Sequence, residues 1–374
     1  MDVSIRQATI EDKERIGRFL ALAYKEIYPY NRFPARWSWE FEKNPFWNGS
    51  DLPVWLAELN GEIIGQTCEM IVPLWVRDKA VQAAWGVDLI VLPEYRRLGV
   101  ARRLMIAATE HLDWYMALSM NNISRQVLLS LRLTEANSVH QLYKRIRLEN
   151  ESAYILLKSK FSPNSIFPRI FKKAGLPSVM GAVYNSWRQI QALKRSLTKR
   201  ASIYSIEKVN RFGKESDELW SQLAPHYPMI VKRDSSYLNW KYVEQPEMSY
   251  ENYFAMKQGR ALGTVVIRRC KPPDPKVGII ADVIALPNDS PTMKTLIDHA
   301  VERLSALGVV AIVAASNTPN LVRHYLDAGF VIKNKIVPLF RFKEIPQAGL
   351  EFIAKNWALS LGDHDWDQYP SFWL

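Results

Sequence analysis

The chain is poor in sulfur. Two cysteines, Cys68 and Cys270, occur in 374 residues, both inside apolar strand-like runs. That excludes a disulfide framework and fits a reducing compartment. With the six histidines they form no close pair at metal-ligand spacing, so no metal site is expected. No apolar run is long enough to cross a bilayer. The opening residues, MDVSIRQATIEDKER, lack the apolar core of a secretory signal, and a cytoplasmic location is expected. The most telling shortage is local. Between Ser152 and Ile206 there is no aspartate or glutamate, against ten basic residues: Lys158, Lys160, Arg169, Lys172, Lys173, Arg188, Lys194, Arg195, Lys199 and Arg200. The whole chain carries +11, so nearly all of its excess charge sits in this segment.

What remains is ordinary globular material, 48% hydrophobic and 23% charged, and too long for one typical core. It contains a pattern twice. Trp39 to Pro45 read WEFEKNP, and Trp240 to Pro246 read WKYVEQP. Next come VWLAELNGEIIGQTC and NYFAMKQGRALGTVV, each a strand, a glycine turn and a strand, with Gly61 and Gly65 matching Gly259 and Gly263. DLIVLP from Asp88 then matches DVIALP from Asp282, and an amphipathic helix follows each. Each helix leads to a short apolar strand, QVLLSLRL or VVAIVAA, and then to a second helix carrying Tyr143 or Tyr325. The expected fold class is α/β, with two like domains of mixed, mostly antiparallel sheet flanked by helices. The expected boundaries are 1–155 for the first domain and 202–345 for the second. A basic, partly helical linker would fill 156–201 and a C-terminal extension 346–374.

The segment EYRRLGVARRLM places four arginines around Gly99, directly after the apolar run that ends at Val91. The spacing of Val100, Leu104, Ala108 and Leu112 predicts a helix starting at Gly99. The first N–H groups of a helix have no intrahelical partner and carry partial positive charge, so an anion settles there. Glycine lets a phosphate approach the backbone. Arg96, Arg97, Arg102 and Arg103 add charge, and a bound diphosphate is the natural guess. Taken alone, the loop is equally a glycine turn with solvated arginines. Neither the P-loop pattern nor the dinucleotide fingerprint is present.

In context, LIVLPEYRRLGVARRLM resembles the coenzyme A loop of the GNAT superfamily of acyltransferases, Q/R-x-x-G-x-G/A between a central strand and a helix. Here it reads Arg96-Arg97-Leu98-Gly99-Val100-Ala101. Leu89, Ile90 and Val91 match the strand whose backbone pairs with the pantetheine arm in that family. The resemblance extends over both halves and implies a tandem GNAT protein: an acyl-CoA-dependent N-acyltransferase, with acetyl-CoA or another acyl-CoA as co-substrate. The second copy departs from it. NDSPTMKTL has neither the glycine nor the arginines, and Asp289 would oppose a diphosphate, so that half resembles a degenerate domain without a cofactor site.

Acyl transfer to an amine needs a polarised thioester, a neutral amine and a proton for the leaving thiolate. In the family a tyrosine on the helix after the fifth strand often supplies that proton, which implies Tyr143 as the acid. Asn137, one turn earlier, falls where the family often contacts the cofactor. Asp88 sits where a base could reach the amine, although Asp282 repeats it and argues for a structural role. No nucleophile is evident, and direct attack without an acyl-enzyme is expected. Trp39 is expected in the core because Trp240 repeats it; Trp37 and Trp47 have no counterpart and are acceptor-site candidates. Asp363, Asp365 and Asp367 form an acidic cluster that is compatible with amine recognition but expected mainly as a solvated tail.

Two other functions are compatible with the pattern. Proteins resembling the Fem peptidyltransferases also have tandem GNAT-like domains and take an aminoacyl-tRNA, and the basic segment would suit RNA phosphates. A non-catalytic binding module is the other. The basic stretch 156–200 is either a connector or a surface for an anionic membrane, peripheral to its inner face, with nucleic acid the lesser option. Val179, Val183, Trp187, Ile190 and Leu193 recur at helical spacing there and suggest a buried or inserted face.

Overall fold

The computed structural model describes residues 2–24, 33–47, 49, 51–161, 165–198, 203–246, 248–270, 276–343, 345 and 347–368. Lys199 and Arg200 of the basic segment lie outside the described residues. The first half runs β1 (Ser4–Gln7), α1 (Lys13–Ala23), α2 (Phe33–Trp37), a π-helical turn at Ser38–Glu42, β2 (Val54–Leu59), β3 (Glu62–Val76), β4 (Lys79–Val91), α3 (Val100–His111), β5 (Trp114–Ala117), α4 (Asn122–Ser130), β6 (Thr134–Glu135) and β7 (Val139–Arg145). Three helices connect it to the second half: α5 (Asn150–Lys158), α6 (Phe167–Lys173) and α7 (Leu176–Thr198). The second half runs β8 (Ser205–Val209), α8 (Lys214–Leu223), β9 (Met229–Val231), α9 (Ser235–Tyr242), β10 (Tyr250–Lys257), β11 (Arg260–Arg269), β12 (Val277–Ala285), α10 (Ser290–Ala306), β13 (Ala311–Ser316), α11 (Pro319–Asp327), β14 (Val331–Ile336), β15 (Leu339–Phe342) and α12 (Gln347–Asn356).

The repeated turns form for the same reason in both halves. Asn60-Gly61 and Gln258-Gly259 all have positive φ, the conformation of a tight two-residue hairpin turn, and glycine takes the second place without strain. These turns join β2 to β3 and β10 to β11 in antiparallel pairs. Gly65 and Gly263 follow four residues later. A Cβ on either would stand 3.1 Å or 2.8 Å from the carbonyl of Ile90 or Ile284, with Leu104 or Leu296 above it. Each glycine lets the long helix, α3 or α10, settle onto its sheet.

The two sheets have the same layout, but they exchange strands: the first takes β9 and β15 from the second half, and the second takes β7 from the first. The first is ordered β1-β2-β3-β4-β5-β15-β6, with β9 pairing the far end of β3. The second is ordered β14-β7-β13-β12-β11-β10-β8. β7 thus lies between β13 and β14, and β15 between β5 and β6. A cut at residue 155 does not separate the sheets, because β7 crosses it in one direction and β9 and β15 in the other. The pattern is mostly antiparallel; among the described strands only β4 with β5 and β12 with β13 run parallel.

The exchange corrects the sequence reading of 126–148. QVLLS belongs to helix α4, not to a strand, and the stretch holding Tyr143 is strand β7, not a helix. A short apolar run fits either state until partners are known. Asn121 settles the first case by accepting the N–H of Ser124 as the N-cap of α4. The helix that matches α11 is therefore α4. Arg132 and Gly329, both at positive φ, end these two helices alike, and Leu128 stands where the second half has Tyr325.

One core fills the space between the sheets. Trp39 and Trp240 stack at its centre with ring centroids 4.7 Å apart. The Trp39 indole donates to the Trp240 carbonyl at 2.8 Å, and the Trp240 indole donates back at 3.2 Å. This places the repeated tryptophan in the core. The other face of the first sheet is covered by α3 and α4 through Val100, Leu104, Ala108 and Leu128.

Candidate functional site

At the centre of the first sheet, β4 and β5 separate. Their parallel pairing ends at Trp85 with Met116, leaving 86–91 without a strand partner on that side. Gln66 pairs with Ile90 but Cys68 pairs with Val87, so Asp88 and Leu89 bulge opposite the single residue Thr67. Asp88 has a φ of 51°, a strained value for a non-glycine residue. Leu89, Ile90 and Val91 therefore present backbone to an open wedge. Beyond Val91 the chain turns through Pro93–Tyr95 into α3. Arg96 donates to the Val91 carbonyl at 3.0 Å and ties the loop to the strand. Gly99 is the N-cap of α3, at a φ of 76°, and has no side chain to satisfy the first-turn N–H groups. Arg96, Arg97, Leu98, Arg102 and Arg103 are exposed around it, while Val100 is buried under the helix and Ala101 half-buried. The wedge and the bare, basic helix end are contiguous.

Asp88 also belongs to a charged cluster that the sequence did not reveal. Arg36, on α2, lies 3.3 Å from the Asp88 carboxylate and donates to Glu40 at 2.9 Å and to Asp365 at 3.5 Å. His364 pairs with Asp365 and approaches the Gly86 carbonyl at 3.4 Å, on the splayed stretch of β4. Its ring stands edge-on to Trp85. Tyr24, at the end of α1, donates to Asp88 at 3.4 Å. Burial holds the Asp88 and Glu40 carboxyls above the usual carboxylate range, with Arg36 pulling each back. Burial acts on Asp365 the same way, but the neighbouring His364 and then Arg36 hold it well below that range. Three carboxylates around one guanidinium and one imidazole favour a cation. Asp88 lies on the splayed stretch of β4 and has 18% of its side chain exposed, against 11% for Asp365 and 2% for Glu40. It can accept a proton.

His364 and Asp365 come from the C-terminal segment, which is not a solvated tail. Asp363, Asp365 and Asp367 are 0%, 8% and 0% exposed, and each has its own basic partner. Arg233 donates to Asp363 at 2.7 Å and to Asp282 at 2.6 Å. Lys241 lies 3.5 Å from Asp367.

The remaining sequence candidates are elsewhere. Tyr143, in the second sheet, pairs with Val313 and Val331. Asn137 donates its side-chain amide to the Lys355 carbonyl and so holds the end of α12. Trp37 is buried in the core between the sheets, against Phe41. Trp47 lies on the opposite face, half-buried near His111, its indole donating to the Asp51 carbonyl. The structure does not bring the two tryptophans together. Among the described residues no group of His, Cys, Asp and Glu could hold a metal ion.

The second half has the same wedge with different contents. β12 and β13 pair only from Val277 to Ile279. The chain from Trp357 to Asp363 runs into the gap beyond. Asn317 donates to the Trp357 carbonyl and accepts from the Leu359 N–H, and Ser360 bridges Ser316. Gly362 lies so close that a Cβ would stand 3.1 Å from the Ala281 carbonyl. The residual cavity, against Arg233, Asp282 and Ser360, is about 20 Å³, room for a single water. The start of α10 is closed as well, because Asp289 accepts the N–H of Thr292 as its own N-cap.

Comparison with known proteins agrees with this geometry. Residues 19–124 match the family model described as Acetyltransferase (GNAT) family. No curated protein matches the chain in sequence. Among solved structures, a GCN5-related N-acetyltransferase from Anabaena variabilis superposes with a TM-score of 0.59 at 11% identity, over 92% of this chain and 73% of that one. The N-myristoyltransferase of Saccharomyces cerevisiae with bound myristoyl-CoA gives 0.56 at 11% identity, over 91% and 79%. A GCN5-related N-acetyltransferase from Kribbella flavida gives 0.53 at 14%, over 91% and 71%. At such identities the likeness is one of fold, and it spans both sheets. The loop and the wedge both lie within residues 19–124, the part of the chain that matches the GNAT acetyltransferase family model.

Proposed function

We propose that the protein is an acyl-CoA-dependent N-acyltransferase with one working cleft, in the first sheet. The observation that carries this reading is the continuity of the bare helix end at Gly99 with the splayed, bulged edge of β4. The diphosphate of the co-substrate would rest on the first N–H groups of α3, among Arg96, Arg97 and Arg102. Its pantetheine arm would complete the sheet along Leu89, Ile90 and Val91. The thioester then ends beside Asp88. The acceptor ammonium is drawn to the carboxylates around Arg36, and Asp88 takes its proton. The neutral amine attacks the thioester carbonyl directly, a C–N bond forms, and the C–S bond breaks as the thiolate leaves and takes up the proton that the nitrogen sheds in becoming an amide. Tyr143 has no part in this scheme, since its strand belongs to the second sheet. The second half is a degenerate copy whose cleft is filled by residues 357–363, and whose tail delivers His364 and Asp365 to the first cleft.

Calorimetry with a series of acyl-CoAs, beginning with acetyl-CoA, tests the reading together with thiol release in the presence of candidate amines. One site per chain and amine-dependent release are expected. No binding of any acyl-CoA, or two sites per chain, refutes it.

A further inference from the structure

The three connecting helices carry a surface that acyl transfer leaves unused. α7 is held to the rest of the protein by one face. Asn185 accepts the Leu148 N–H at 2.9 Å and donates to the Leu148 carbonyl at 3.2 Å. Tyr184 donates to the Arg145 carbonyl, and Gly181 packs so closely that a Cβ would stand 2.8 Å from the Leu148 carbonyl. Val179, Val183, Trp187 and Ile190 follow one another at steps of four, four and three. At 100° per residue they fall within about 80° of each other, on the side opposite that anchored face. They are 58%, 65%, 52% and 53% exposed. A surface helix normally turns its apolar stripe toward the core. Here the stripe, expected from the sequence to be buried or inserted, faces outward. Phe167 and Ile170 on α6 and Ile155 on α5 are exposed as well.

Charge supplies the second observation. The segment from Ser152 to Ile206 has ten basic residues and no acid, and Lys158, Lys160, Arg169, Lys172 and Lys173 are exposed on α5, α6 and the turn between them. We propose that this surface docks the protein on an anionic lipid bilayer, with the Val179–Ile190 row among the outermost acyl chains and the basic residues at the headgroups. Nucleic acid would meet the charges but leave the aliphatic row in water. A second copy of the chain would cover the row but oppose one acid-free basic segment with another. No helix among the described residues is long and apolar enough to cross a membrane, so the contact lies along the surface.

Sedimentation of the full chain with phosphatidylcholine vesicles, with and without phosphatidylserine, tests this. Binding is expected only to the anionic vesicles and should weaken as salt rises. Val183→Glu with Trp187→Glu, and separately Lys172→Glu with Lys173→Glu, should each lower the partition by ~10-fold or more. All four side chains are exposed, so thermal unfolding and acyl-CoA affinity should not change. Those two readouts distinguish loss of docking from loss of fold or failure of the catalytic reading. Equal recovery in the supernatant for both vesicle types overturns the proposal. So does lipid binding that ignores both pairs of substitutions, RNA binding without lipid binding, or dimerisation that Val183→Glu abolishes.

Discussion

The two halves start from the same strands and reach opposite ends. In both, the central parallel pair splays after a few residues, and an aspartate sits near the split: Asp88 in the first, Asp282 in the second. In the first half the next helix begins at Gly99, which has no side chain to cap it. In the second it begins at Asp289, which caps it. Among the described residues no strand fills the first wedge; the second holds the chain from Trp357 to Asp363. Asp88 is partly accessible and sits on a strained bulge, whereas Asp282 is fully buried against Arg233 and Tyr242. Glu69 and His111 lie 2.9 Å apart, and the second half has the apolar Ile267 in the place of Glu69. A repeated fold thus keeps a cleft or turns it into a packing surface by changing what occupies two places, the helix cap and the strand gap.

The largest effect should come from exchanging the caps. Gly99→Asp puts a Cβ at a positive φ and a carboxylate where the diphosphate would lie. Acyl-CoA affinity should fall by ~10²-fold or more, read by calorimetry. Asp289→Gly should add no second binding site, since the wedge beyond it stays filled; a second site would mean that the cap alone had closed that cleft. Next in size, Asp282→Asn leaves Arg233 short of a buried partner and should cost about 3–5 kcal/mol of stability in denaturant unfolding. Asp88→Asn should instead leave acyl-CoA affinity within a few-fold and lower kcat by ~10²-fold. If the two substitutions behaved alike, the two aspartates would share a purely structural role.

The smallest effect concerns Glu69, which burial raises to about 7 against an ordinary 4.5, with His111 pulling the other way. The folded carboxyl keeps its proton over a range in which the unfolded one has lost it. Stability from this group is therefore complete below pH 4.5 and lost as pH rises through about 7. Melting curves across that window should slope downward for the native chain and flatten for Glu69→Gln. The second half, with Ile267 at that place, contributes no such slope.

Local chemistry explains which features were legible before folding. The hairpin turns at Gly61 and Gly259, the close packing at Gly65 and Gly263, and the helix start at Gly99 depend on residues within a few positions of each other. The same is true of the long acid-free stretch. The sequence of 126–148 is ambiguous because Val127, Leu128 and Leu129 are apolar enough for strand or helix, and the assignment of Tyr143 to strand β7 depends on partners far away in sequence. Arg36, Glu40 and His364 carry no signal in the sequence and Asp365 only that of a local acidic cluster, since Arg36 and Asp365 are 329 positions apart. Their meeting needs the two sheets to close first.

The sequence by itself determined two copies of one strand-and-helix pattern and a single loop fit for an anion. It also determined a connector with charge of one sign. These follow from periodicity, glycine and charge, which act over one or two turns of chain. The tertiary structure alone decided that β7 and β15 change sheets, that the tail fills one wedge and supplies side chains to the other, and that the apolar row of α7 faces outward. Those outcomes depend on which backbone groups find partners far away in sequence, and on which surfaces the rest of the core leaves uncovered.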